Sequence, residues 1–111
     1  MLRIYGVILE MLVLLRPVLE ELGHKDRELE DQGRRASQSV LLNAAEGSAG
    51  IGRSRVARYA TSLGSMRETR ACLDVALAFG YIGPLPLELH DKIERITGTL
   101  VVLTAPMRRV G

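Results

Sequence analysis

A disulfide framework, tryptophan and a membrane-length apolar run are all missing from this sequence. Of its 111 residues one is cysteine, Cys72, which excludes an intramolecular disulfide and a multi-cysteine metal site. Aromatics make up 4%, namely Tyr5, Tyr59, Phe79 and Tyr81. The composition is poor in strand formers and rich in Ala, Leu, Arg and Glu, which favour helix. The most apolar stretch, residues 2–15, contains Glu10 and is followed by Pro17, Glu20 and Glu21. It falls short of the roughly 20 residues that cross a bilayer, and no small-residue cleavage site follows it. These features predict a buried helix in a cytoplasmic protein with no membrane partner.

Strong net charge is missing too. Fifteen basic residues stand against 13 acidic ones, a balance of +2 that does not by itself argue for nucleic acid. The distribution is more informative. Residues 20–31 hold six acids (Glu20, Glu21, Asp26, Glu28, Glu30, Asp31) against Lys25 and Arg27. Residues 53–70 hold five arginines (Arg53, Arg55, Arg58, Arg67, Arg70) against Glu68. An acidic and a basic region therefore underlie the near-neutral total, an asymmetry that fits subunit or polyanion docking as well as a solvated helix face.

What is present is helical patterning. Apolar residues are 47% and charged residues 25%, the balance of a soluble globular chain. Breakers at Gly23-His24, at residues 47–52, at residues 80–86 and at Pro106 divide the chain into four segments too long for strands. They predict helices over about 2–22, 26–47, 54–79 and 85–104 in one domain spanning residues 1–111. Pro17 inside the first helix removes a hydrogen bond to Val13 and is expected to bend it. The second helix has a stripe of mostly small residues through Leu29, Gly33, Ala36, Val40, Asn43 or Ala44, and Gly47. Gly47 reads as its left-handed stop. Ser54 reads as the N-cap of the third helix, with Arg53 in the preceding turn.

The third helix shows a large face (Val56, Tyr59, Leu63, Met66, Leu73, Leu77) and a small one (Ala57, Ala60, Gly64, Ala71, Val75, Ala78). The small face is expected to admit another helix. Pro84 and Pro86 open the fourth helix, whose seam is Leu89, Ile93, Ile96, Leu100 and Leu103. Four amphipathic helices with short connections predict an all-α, antiparallel up-and-down four-helix bundle.

Catalytic signals are sparse. His24 and His90 have no metal-ligand spacing, so no metal or cofactor is expected. Cys72 reads as a small core thiol rather than a nucleophile. The glycines of residues 47–52 match no phosphate-loop pattern, though the start of the third helix, with Arg53 and Arg55, is a place where an anion could bind. Polar residues within the apolar stripes, Asn43, Glu46 and Glu68, point to a buried network that fixes helix register. Glu68, placed on the small face, would then pair with Arg34, Arg35, Asn43 or backbone amides at a neighbouring helix end, and losing it would cost about 3 to 5 kcal/mol.

The run Gln32-Gly33-Arg34-Arg35-Ala36, continued by Ser39 and by Asn43-Ala44-Ala45-Glu46-Gly47, resembles a known signature. It is the Q-x-R-R-A-x-x-S-I-P-x-N-I-A-E-G motif of the four-helix-bundle proteins encoded within intervening sequences of bacterial large-subunit ribosomal RNA genes. Gly64-Ser65 with Glu68, and Leu73, Ala76 and Gly80-Tyr81, are similar to that family's later motifs. The resemblance covers roughly residues 29–103. Leu41 stands where the family has proline, and Gly33 where it commonly has isoleucine.

The resemblance implies a homo-oligomeric ring, a homopentamer. It also implies kinship with the accessory variability determinant protein of diversity-generating retroelements, whose partners are nucleic acid and a reverse transcriptase. Arg34, Arg35, Asn43, Glu46, Ser65 and Glu68 are the family positions retained, and no catalytic residue comes with them. The expectation is a non-enzymatic accessory module, with Arg53, Arg55, Arg58, Arg67 and Arg70 as its nucleic-acid contacts. A purely structural homo-oligomer is the alternative, and a carboxylate pair of Glu46 and Glu68 holding a metal is the remaining enzymatic one.

Overall fold

The computed structural model describes residues 3–105. Among them are four helices and no strand: α1 (Arg3–Gly23), α2 (Arg27–Ala49), α3 (Gly52–Ala78) and α4 (Leu87–Leu103). The all-α expectation holds, with boundaries within about three residues of those read from the breakers. The expectations placed on Leu2 and Pro106 lie outside the described residues. Each helix packs on its neighbours in sequence, and α1 also packs on α4.

Helix α1 supplies most of the apolar bulk. It buries Ile4, Val7, Ile8, Met11, Leu15, Val18, Leu19 and Leu22, a run of threes and fours. The helix continues through Pro17. Pro17 and Val13 both face solvent, where water can take up the carbonyl that the ring leaves without a donor. From α4 come Leu89, Ile93, Ile96 and Leu100, all buried, as the seam predicts; Leu103 packs against the core from a partly buried position.

Helix α2 does the opposite: its buried side is Gly33, Ala36, Ser37, Val40, Ala44 and Gly47. Small residues let its backbone come close to both neighbours. A methyl carbon at Gly33 would lie 2.9 Å from Leu19 of α1, and one at Gly47 would lie 2.6 Å from the Tyr59 ring of α3. Gly47 is therefore a contact residue inside the helix and not its stop, correcting the sequence expectation; α2 runs on to Ala49 with Gly50 as C-cap. Its N-cap is Asp26, whose carboxylate accepts from the Leu29 amide at 2.9 Å.

Two further corrections concern α3. The helix starts at Gly52, with Ile51 as an N-cap that makes no side-chain cap bond. Ser54 and Arg53 therefore lie in its first turn. Gly52 has φ +62°, the left-handed conformation that glycine tolerates at this two-residue turn. The small face of Ala57, Gly64, Ala71 and Ala78 is exposed. The face that meets the core holds Tyr59, Leu63, Met66 and Leu73 of the expected large face, joined by Ser62, Thr69, Cys72 and Ala76, while Leu77 is exposed. Hydroxyls sit comfortably there because backbone carbonyls take their protons: Ser62 Oγ donates to Val40 O at 2.7 Å, and Thr69 Oγ1 to Ser65 O at 2.8 Å.

At its other end α3 closes with Gly80 (φ +71°), the Tyr81 amide donating to Ala76 O and the Gly80 amide to Leu77 O. Pro86 is the N-cap of α4, one position before its first turn, and Pro84 lies in the connection.

The glycines yield a paired prediction for thermal denaturation. Gly47→Ala drives a methyl into Tyr59 and should cost about 1 to 3 kcal/mol. Gly98→Ala, where a methyl meets nothing within 4 Å, should leave the protein as stable or raise stability by up to about 1 kcal/mol through helix propensity. Equal effects of the two would show that α2 and α3 do not approach so closely.

Candidate functional site

The α2–α3 contact carries a polar seam along its edge. The Asn43 amide nitrogen donates to Ser39 O (3.0 Å) and Ser39 Oγ (2.9 Å), which leaves its oxygen facing Arg58 Nη1 at 3.4 Å. Arg58 Nε pairs with Glu46 Oε2 at 3.0 Å. Ser39 Oγ and Ser65 Oγ share a hydrogen bond of 2.7 Å. The fold thus brings Asn43, Glu46 and Ser65 together through Ser39 and Arg58. Successive contacts pair 39 with 65, 40 with 62 and 46 with 58, so numbers rise along α2 as they fall along α3.

Three other residues expected in this network lie elsewhere. Arg34 turns to Glu30 on its own helix at 2.8 Å, and Arg35 is exposed. Glu68 is exposed as well, and no hydrogen bond or ion pair reaches it among the described residues. The expectation of a buried, paired Glu68 is overturned: it shares a face with Gly64 and Ala71, and that face points outward. Nor does it meet Glu46, whose partner Arg58 lies ten residues earlier on α3, about 15 Å along the helix. Groups of three metal-ligating side chains are absent among the described residues.

Other titratable groups serve the surface or the core. Burial pushes the Cys72 thiol up, with Glu68 adding to the effect, away from the thiolate a nucleophile requires. His90 is exposed beside Asp91 and Glu94, and His24 is exposed in the first turn. Lys92 bonds Glu10 across α4 and α1, and Arg70 bonds Glu94 across α3 and α4 at 2.7 Å. Each partner holds its carboxyl below the usual glutamate range.

The five arginines of the basic region separate into three kinds. Arg58 is taken by Glu46, and Arg70 by Glu94 and Asp74. Arg67 is exposed midway along α3. Arg53 and Arg55 are exposed in the first turn of α3, with no carboxylate in ion-pair distance among the described residues; the Arg55 guanidinium lies over the Tyr59 ring, 5.6 Å from its centre. Sequence reasoning missed Arg3. Leu19 meets Gly33, so Arg3, sixteen residues before Leu19, is level with Ala49, sixteen beyond Gly33. Arg3 therefore stands at the same end as Arg53 and Arg55, and the helix-on-helix register was the missing information.

The sequence model for the 23S rRNA-intervening sequence protein family matches residues 11–101. Neither a curated protein nor a solved structure matches the chain. No helix among the described residues is long and apolar enough to cross a membrane.

Two substitutions test the seam and its surroundings by chemical denaturation. Glu68→Ala should change stability by less than about 0.5 kcal/mol, as expected for an exposed helical position. Tyr59→Phe removes a buried hydroxyl that has no hydrogen-bond partner among the described residues, and should raise stability by about 1 kcal/mol. A large loss from either would contradict the exposure of Glu68 or the unpartnered burial of the Tyr59 hydroxyl.

The lowered carboxyls of Glu10 and Glu94 give a pH dependence. Both are more acidic when folded, so their contribution is full above the ordinary glutamate value of about 4.3 and fades as pH falls through and below it. In Glu10→Gln and Glu94→Gln the melting temperature should fall less steeply between neutral and acid pH than in wild type. Identical slopes would show that these bridges do not form in solution.

Proposed function

The chain belongs to the 23S rRNA-intervening sequence protein family, and from that premise we propose that it acts without catalysis, as an interaction module. It assembles with copies of itself and binds nucleic acid, or an enzyme working on nucleic acid such as a reverse transcriptase, through one basic end. The observation that carries this reading is the exposure of Arg53 and Arg55 at the start of α3. The first amides of that helix lack a side-chain cap, so fixed partial positive charge adds to the guanidinium groups. Arg3 adds a third cation at that end. Arg58 and Arg70, engaged within the chain, contribute to packing, which narrows the phosphate-contacting set.

Self-assembly draws support from apolar residues left outside the core. Leu9 and Val13 on α1, Leu42 on α2 and Val102 on α4 are all exposed, more than a small monomer needs to leave in water. A closed ring of five, the number implied by the resemblance, would set about ten of these arginines on one rim from two per subunit. Contacts would be made to phosphate and not to bases, because aromatic stacking platforms are scarce. Binding would then be indifferent to sequence and steeply weakened by salt.

Titration with labelled single- and double-stranded DNA and RNA tests the reading. Binding at low salt should weaken at least about tenfold at moderate salt and be lost in Arg53→Glu/Arg55→Glu, while Arg70→Gln retains it. No binding at low salt would leave the purely structural homo-oligomer, and a light-scattering mass of 12.2 kDa would remove the assembly.

A further inference from the structure

The two ends of the molecule differ in shape as well as in charge. The long axis spans 43 Å. The turn at residues 50–51 closes one end. The first turn and the α3–α4 connection share the other, where the Gly83 amide donates to Glu21 Oε1 at 3.4 Å. At the basic end Ile51 stands at the apex of its turn, 88% exposed, with Arg53 and Arg55 just behind it. At the opposite end a groove of about 540 Å³ runs between α3 and α4, walled by Leu77, Pro84, Leu85 and Leu87. Asp74 lies on its rim, and Leu87 also borders Glu88 and Asp91. Arg70 is the one arginine in the groove, and Glu94 and Asp74 already hold it. One end thus presents an apolar knob flanked by cations, and the other an apolar hollow flanked by Asp74, Glu88 and Asp91, with His90 in its wall and with Arg95 and the Glu10-paired Lys92 beyond Leu87.

We infer that the Ile51 tip of one copy seats in the Leu77–Leu87 groove of a second copy, with Arg53 and Arg55 paired to Asp74, Glu88 and Asp91. Leucine and proline walls remove the isoleucine from water, and the flanking charges orient the encounter and fix its polarity. Knob and hollow lie on opposite ends of each chain, so the contact is head-to-tail and propagates, unlike a self-complementary two-fold pair. It uses surfaces separate from Leu9, Val13, Leu42 and Val102, and therefore stands whether or not the lateral ring forms. Arg53 and Arg55 serve one occupant at a time, so end-to-end docking and polyanion binding exclude each other.

Sedimentation velocity of the full chain without nucleic acid decides it, at about 30 mM and about 500 mM salt, where screening lengths differ severalfold. The low-salt sample should contain species at least twice the mass of those at high salt. Arg53→Glu/Arg55→Glu, Ile51→Asp and Asp74→Arg/Asp91→Arg should each remove the larger species while keeping the high-salt mass and a wild-type helical spectrum. Mixing the arginine-reversed with the aspartate-reversed variant should restore a larger species through the swapped pairing. Equal masses at both salts, survival of the larger species in Ile51→Asp, or no restoration on mixing would overturn the proposal. A lateral ring alone would show as a multiple of the chain mass that salt does not change.

Discussion

The close approach of α2 to its neighbours is the constraint on which the other features depend. Glycine, alanine and serine along its buried side bring a backbone, not a layer of side chains, against Leu19 and Tyr59. At that separation α3 can hand a serine proton directly to a carbonyl of α2. The apolar bulk that α2 forgoes comes from α1 and α4, whose leucines and isoleucines fill the interior. Packing is thus uneven by design of the sequence: two helices supply volume, one supplies proximity, and α3 mediates between them.

Proximity also decides which polar residues interact. Asn43 has both amide protons committed to Ser39, so its oxygen has a fixed direction and meets Arg58. Arg58, aligned by Asn43, reaches Glu46. An arginine that composition alone would assign to a basic surface becomes part of the helix contact. The same logic removes Arg70, which is drawn across to α4 by Glu94. Of the five arginines of the basic region, Arg53 and Arg55 at the start of α3 and Arg67 midway along it are the ones left without an ion pair among the described residues.

Helix number, helix limits and the family signature were legible because each is written in local order. Proline and glycine mark ends, and apolar spacing marks α1 and α4. The larger apolar face of α3 was legible too, since Tyr59, Leu63, Met66 and Leu73 are buried as expected, but the exposure of its smaller face was not. Nor was it legible that Ser62 and Thr69 join the buried face, since nothing local reveals that carbonyls of α2 and of α3 itself will accept their protons. Glu68 was assigned to the right face, with Gly64 and Ala71, but that face was expected to be covered by another helix and is exposed. Gly47 was misread similarly: a glycine near a helix end looks like a stop until the Tyr59 ring lying against it is seen. Arg3 was overlooked because its neighbours at the basic end come from distant parts of the chain.

Cys72, the sole thiol of the chain, lies buried on the side of α3 that faces α2, with Gly33 as its near neighbour. A thiol reagent reaches it only when the two helices part. Its labelling half-life is therefore a clock for the parting of α3 from α2 beside Gly33, read without adding any probe. The protein carries its own reporter of breathing motion where α3 rests on α2, and the free energy of that local opening follows from how the labelling rate falls short of that of an unprotected thiol.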